Sequence, residues 1–264
     1  MRTATVETIY HCIDAIAPFD TQEEFDNTGL LIGSLQQPVR RVLIALDMTP
    51  EVIQEAKAKD VQLVVTHHPL MFHAAKRLVT DVFEGMVISE VIRAGLSLIA
   101  AHTNLDRSPL SAAAKTLERL GCSHIRAAGP YVQVGELPSA MDAVTFGRLL
   151  ARHFGSGVRV FGPSDATIRC VGMAGGAYDE GWQEARSAGA QAYITGEVRH
   201  HNALAATGNG LVLYDAGHHQ TEASMVGDLC NYLQREMDAL QYDVEVYASE
   251  SLVLAAGYTL EEEE

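Results

Sequence analysis

Cysteine is sparse in this chain and none of it is paired. Cys12, Cys122, Cys170 and Cys230 are scattered through 264 residues with no CxxC spacing. That pattern suggests neither a thiolate zinc site nor a disulfide framework, and isolated reduced thiols are expected. Long apolar runs are missing as well: none approaches the ~18 residues of a membrane-crossing helix. Basic residues are few, with 19 Lys and Arg against 34 Asp and Glu, for a formal net charge of −15 at pH 7. That balance opposes unassisted binding to nucleic acid or to an anionic membrane, since both require a local excess of positive charge. Part of the charge is the acidic run 261–264, of a kind that is normally a solvated tail. There is no GxSxG elbow, no phosphate-binding P-loop and no GxGxxG, and no cysteine sits in an electropositive turn. The glycine-rich run 172–176 follows a strand and is assigned to close backbone packing. Near the N-terminus His11, Asp14 and Asp20 interrupt any leader-like apolar core, so a cytoplasmic location is expected.

What remains is the composition of an ordinary globule, 47% hydrophobic and 20% charged, at a length near the limit of a single core. An internal repeat shows how that length is divided. Laid over one another at an offset of 129, residues 45–68 and 174–197 share Ala45/Ala174, Glu51/Glu180, Gln54/Gln183, Glu55/Glu184, Ala56/Ala185, Gln62/Gln191 and Thr66/Thr195. Each copy reads as strand, helix, strand, over 42–46, 50–59 and 61–66 and again over 170–174, 179–188 and 190–195. Asp60 and Gly189 mark the helix ends. The pattern extends outward. A helix over 81–94, a strand over 96–100, the turn AHTNLD and a helix over 109–120 capped by Ser108 face a matching series. That series is a helix over 199–207, a strand over 211–214, the turn DAGHHQTE and a helix over 223–237. The fold class is therefore α/β (α+β in some schemes): two similar lobes of mainly parallel sheet with flanking helices. The expected division is 1–128 and 129–264, joined near the Gly129-Pro130 turn, with the tail from about 240 able to pack back on the first lobe.

Position, and not number, singles out some of the 11 histidines. His67 and His68 close an apolar strand, at the carboxyl end where open α/β sheets place ligands. His102 and Asp106 follow another strand, His218 and Glu222 a third, and both pairs have a spacing of four that converges in a helical turn. Glu197 ends the strand equivalent to the one before His68. An HH pair alone is an exposed turn, and His200-His201 is read that way. His218-His219 could equally cap a helix. His11, His73, His124 and His153 have no such setting and are read as structural. Recurrence of imidazole and carboxylate at equivalent strand ends is what favours metal. The donors suit zinc, iron, manganese or nickel, and five or more exceed what one tetrahedral ion takes.

The segments FDNTGLLIG (25–33), VVTHHPLMF (64–72), AHTNLD (101–106), TGEVRHHNALAA (195–206) and DAGHHQTE (215–222), in this order over nearly the whole chain, resemble the NIF3-like family of GTP cyclohydrolase 1 type 2 homologues. The resemblance implies a dinuclear centre of two divalent ions on His67, His68, Asp106, His218 and Glu222, with His102 beside it. It also implies two α/β lobes facing each other and a toroidal homohexamer. Phe25 stands where the family usually carries Trp, and RSPLSAAAK after Asp106 replaces a common Gly-Val-Asn pattern. The extra domain of longer relatives has no room here.

The function implied is hydrolysis of a nucleotide, with water attack at C8 of GTP opening the purine imidazole ring and releasing formate. Glu197 and His102 are the candidate proton-transfer residues, and Arg199 and His200 candidate phosphate contacts. The alternative is a metal-binding or metal-delivery protein without turnover, or a ring-shaped interaction platform. A nucleic-acid version of that platform is opposed by the acidic charge.

Overall fold

The computed structural model describes residues 2–155 and 157–251, so the run 261–264 and the end of the tail, 252–254, lie outside the described residues. The chain divides into two compact units, residues 2–110 with 225–251, and residues 111–224. The Gly129-Pro130 turn lies within the second.

In the first unit β1 (Ala4–Thr5), β2 (Gly29–Ile32), β3 (Pro38–Val39), β4 (Arg41–Ala45), β5 (Leu63–Thr66) and β6 (Ser97–Ala100) precede the crossing to the second. The second holds β7 (Ser123–Ala127), β8 (Gln133–Asp142), β9 (Arg159–Phe161), β10 (Thr167–Met173), β11 (Ala192–Thr195) and β12 (Val212–Asp215), and the chain returns to the first for β13 (Glu245–Ala248). A five-stranded sheet runs in the order β13-β4-β5-β6-β2, and a six-stranded sheet in the order β7-β8-β10-β11-β12-β9. Strands β13, β4, β5 and β6 are parallel, with β2 antiparallel against β6, and β10, β11 and β12 are parallel, flanked by two antiparallel strands, β8 against β10 and β9 against β12. The α/β class expected from the strand and helix rhythm is the one observed.

The repeat is visible in the register. Val42 pairs with Leu63 and Ile44 with Val65 in one sheet, Val171 with Ala192 and Met173 with Ile194 in the other, each residue displaced by the same 129 positions. One side chain in each copy carries this equivalence. The Gln62 Oε1 accepts from the amides of Arg40 and Arg41 at 2.9 and 3.0 Å, while its Nε2 donates to the carbonyl of Asp60 at 2.5 Å. Gln191 does the same with the amides of Arg169 and Cys170, at 3.1 and 2.8 Å, and the carbonyl of Gly189, at 2.8 Å. A glutamine thus ties the entrance of each first strand to the turn that ends each first helix. That turn needs a left-handed residue: Asp60 has φ 52° and Gly189 φ 93°.

Local chemistry explains the helices. Pro50–Ala58 starts with Thr49 accepting from the Val52 amide and with proline at a position whose amide is orphaned anyway. The helix expected from Ser108 begins later, at Ala112, because Ser111 is the residue whose hydroxyl accepts from the Ala114 amide. Ser108 instead accepts from the Leu110 amide and shapes the preceding turn. Strands β5, β6, β11 and β12 are buried at every residue, as sheets covered on both faces require, and this fixes their carboxyl ends in place. Among the described residues no helix is long and apolar enough to cross a membrane.

Candidate metal centre

Three imidazoles converge at the carboxyl end of the first unit's parallel strands. His67 and His68 follow β5 and His102 follows β6. Their ring centroids are 4.9 Å (His67 to His68), 5.0 Å (His67 to His102) and 5.6 Å (His68 to His102) apart. One nitrogen of each lies within 4.8 Å of the others. In all three the Nδ1 is engaged by an oxygen: the Ala101 carbonyl at 2.9 Å for His67, Asp47 Oδ1 at 2.8 Å for His68 and Asp26 Oδ1 at 2.9 Å for His102. Carbonyls and ionised carboxylates only accept, so each Nδ1 donates, and in the neutral ring the lone pair is on Nε2. Oxygen on one nitrogen and the other directed into a shared space is the arrangement by which proteins orient metal-binding histidines. Asp106 Oδ1 is 3.8 Å from His67 Nε2, carried there by the short helix Thr103–Asp106.

Asp26 is the anchor of this group. Its side chain has no solvent exposure, and it accepts from the Thr103 amide at 3.0 Å and from the Thr103 hydroxyl as well as from His102. Burial alone would raise its carboxyl, but the bonds from His102 and Thr103 outweigh burial and hold it well below the usual carboxylate range.

The second unit carries an imidazole and a carboxylate on one helical turn. His218 and Glu222 begin and end the helix His218–Glu222, with Nε2 and Oε2 3.1 Å apart. His218 Nδ1 is 2.6 Å from Glu197 Oε1, so Glu197, at the end of β11, orients the ring as Asp47 and Asp26 do in the first unit. Glu222 is buried. The backbone makes way for it: a Cβ at Gly176 would collide with Glu222 Oε1 and come within 3.2 Å of His218 Nε2. Gly196, the repeat partner of His67, is a glycine for a related reason. A Cβ there would lie 2.6 Å from the His218 Cα and 2.8 Å from the Gly176 carbonyl. The run 172–176 thus packs closely, as its glycines suggest.

Each sequence-derived residue can now be located. The first unit brings together His67, His68, His102 and Asp106; the second brings together Glu197, His218 and Glu222. Arg199 donates to both oxygens of Asp179 and to Glu180, and His200 and His201 are exposed. Burial pushes the Cys122 thiol up to about 11, far from a nucleophilic thiolate. Sequence reasoning missed Asp26 and Asp47. Asp47 was the findable one, since it sits just past β4 as Glu197 sits just past β11.

Comparison with known proteins agrees in sequence and in fold. A curated relative in Clostridium perfringens, named GTP cyclohydrolase 1 type 2 homolog, is 29% identical over 91% of this chain and 94% of its own. One of the same name in Streptomyces coelicolor is 30% identical over 91% of this chain and 89% of its own. A Bacillus cereus protein related to NIF3 has the same fold, with a TM-score of 0.92 at 21% identity over 98% of this chain and 100% of that one. The model of the Duf34/NIF3 (NGG1p interacting factor 3) family matches residues 4–252, and the chain belongs to that family.

Proposed function

We propose that the chain is a metal-dependent hydrolase of GTP cyclohydrolase 1 type 2 kind, opening the imidazole ring of GTP or of a related purine nucleotide. The observation that carries the reading is the trio of imidazoles whose Nδ1 atoms are all tied to oxygen acceptors. The donor set fits divalent ions: neutral nitrogens with carboxylate oxygens, buried or half-buried, and no thiolate. The first unit offers His67, His68 and Asp106 as ligands, and the second offers His218 and Glu222. The sequence resemblance assigns these five to one centre of two ions, with zinc, iron, manganese or nickel compatible. A divalent ion there supplies Lewis acidity toward the substrate and lowers the pKa of bound water.

The chain's own residues have separate tasks in this reading. Asp47 and the Ala101 carbonyl orient His68 and His67, and Glu197 orients His218 while remaining a candidate for proton transfer. His102, held by Asp26, moves a proton at Nε2 as one water attacks C8 of the purine and opens the ring to a formamide, and as a second water hydrolyses that formamide to free C8 as formate and leave the amine. The curated relatives' name supports a nucleotide substrate. The same reading makes the protein cytoplasmic and a homohexamer, the latter checked by sedimentation at micromolar concentration.

The test is metal analysis of the purified chain, then formate release from GTP and other purine nucleotides with each candidate metal restored. Turnover that disappears with chelator and returns with metal supports the hydrolase. Stable metal binding with no nucleotide hydrolysed by any metal form would point to the non-catalytic, metal-delivery alternative.

A further inference from the structure

Two large apolar side chains near the histidines are exposed to solvent. Phe25 is 60% exposed and Phe72 39% exposed, with ring centroids 6.1 Å apart and planes tilted by 34°. Phe72 is also in T-shaped contact with His102, at 6.0 Å. Neither ring is adrift. Asp26, next to Phe25, holds His102, and Asn27 donates to the Met71 carbonyl at 2.6 Å, clamping the turn that bears Phe25 to the segment that bears Phe72. Two loops distant in sequence are therefore bonded together with one aromatic ring each at the edge of the histidine cluster. Exposing such surface costs free energy that a core position would recover, and a fixed aromatic face with polar groups close by is what a planar heteroaromatic ring stacks on.

We infer that Phe25 and Phe72 form the platform on which the purine ring of the substrate stacks, bringing its imidazole edge toward His102 and the neighbouring ligands. This rests on the nucleotide-hydrolase reading and adds to it the residues that select a planar base. Lys76 and Arg77 are exposed on the loop that follows Phe72 and bring positive charge to that segment.

The experiment is calorimetric titration of the full chain, equilibrated with Mn²⁺, using GTP and, as a ligand with no base, inorganic triphosphate. Wild type is compared with Phe25→Ala, Phe72→Ala and Phe25→Trp. Thermal unfolding and metal content are recorded for each, since an exposed ring should be removable without loss of fold. Stacking of one base predicts an affinity for GTP weaker by about 10- to 100-fold in each alanine variant. It also predicts unchanged affinity for triphosphate, and wild-type affinity or better in Phe25→Trp. GTP binding equal to wild type in the alanine variants overturns the platform and leaves the nucleotide reading standing. Altered sedimentation with unchanged GTP affinity also overturns it, and gives these rings to a contact between copies of the chain. Wild type that does not bind GTP overturns both readings.

Discussion

Asp26 lies 76 residues before His102 in the chain, yet it accepts the His102 Nδ1 proton at 2.9 Å and the Thr103 amide at 3.0 Å. One carboxylate therefore sets the direction of a ring and the start of the short helix that carries Asp106.

Asp26→Asn keeps the shape but replaces an acceptor with a donor on one side. The expected outcome is a turnover about 10- to 100-fold lower, in the range typical when a partner behind a site residue is lost. A charged hydrogen bond is lost as well, so stability should fall by about 1.5–3 kcal/mol. Formate release and urea unfolding, on the same preparation, check the two effects.

For Glu222→Gln the two roles of the residue separate cleanly. As a carboxylate at a helix end it would contribute only a few tenths of a kcal/mol, and its position at the end of His218–Glu222 is the unfavourable one for a negative charge. As a ligand it neutralises a cation. The variant should hold fewer metal ions per chain with its metal-free melting temperature nearly unchanged, and full occupancy would remove Glu222 from the ligand set.

Much of this was legible in sequence because the repeat carries it. The strand ends that bear His67, His218 and Glu197 could be located from apolar runs ending in a polar turn, and the buried strands impose the rest. Asp26 was not legible: its partners His102 and Thr103 lie in another motif, and no periodicity links a turn to a strand end so distant. The helix start at Ala112 was misjudged for a different reason. Ser108 and Ser111 are both competent caps, and only the tertiary path decides which hydroxyl meets a helical amide.

Gly176→Ala tests the room left for Glu222. The residue has φ 59°, where a side chain costs about 1–2 kcal/mol, and the added methyl would collide with Glu222 Oε1. Stability should fall by at least that strain, and metal content should fall with it. Gly155→Ala, left-handed at φ 66° with nothing within 4 Å of the new Cβ, is the control that carries the strain alone.

The glutamine clamps give a matched pair. Gln62→Ala and Gln191→Ala each delete three hydrogen bonds of the same kind, two accepted from strand amides and one donated to a turn carbonyl. At about 0.5–1.5 kcal/mol per bond, reduced by water at these partly open positions, each variant should lose about 1–3 kcal/mol. The double variant should be additive, since the two clamps share no partner. Denaturant unfolding of the four proteins decides it, and a loss confined to one clamp would break the equivalence of the copies.

Glu55 supplies the pH dependence. It accepts from the hydroxyls of Ser249 and Ser251 at 2.6 and 2.7 Å and from the Glu250 amide at 3.2 Å, with Lys59 at 3.6 Å, and so ties the helix Pro50–Ala58 to the segment after β13. Burial raises its carboxyl, but the serine and amide hydrogen bonds and Lys59 together outweigh burial and bring it below the ordinary value. A carboxyl depressed in the folded state binds its proton more readily when unfolded. Its contribution to stability is thus complete above the unfolded value, near 4.3 for glutamate, and is lost as pH falls through the folded one. Glu55→Gln removes that titration. The variant should be less stable than wild type at pH 7, and the gap should narrow as the pH drops below about 4. Unfolding free energies measured from pH 7 to pH 3 test this, and a gap of constant size across that range would show that the Glu55 charge plays no part in holding the C-terminal segment.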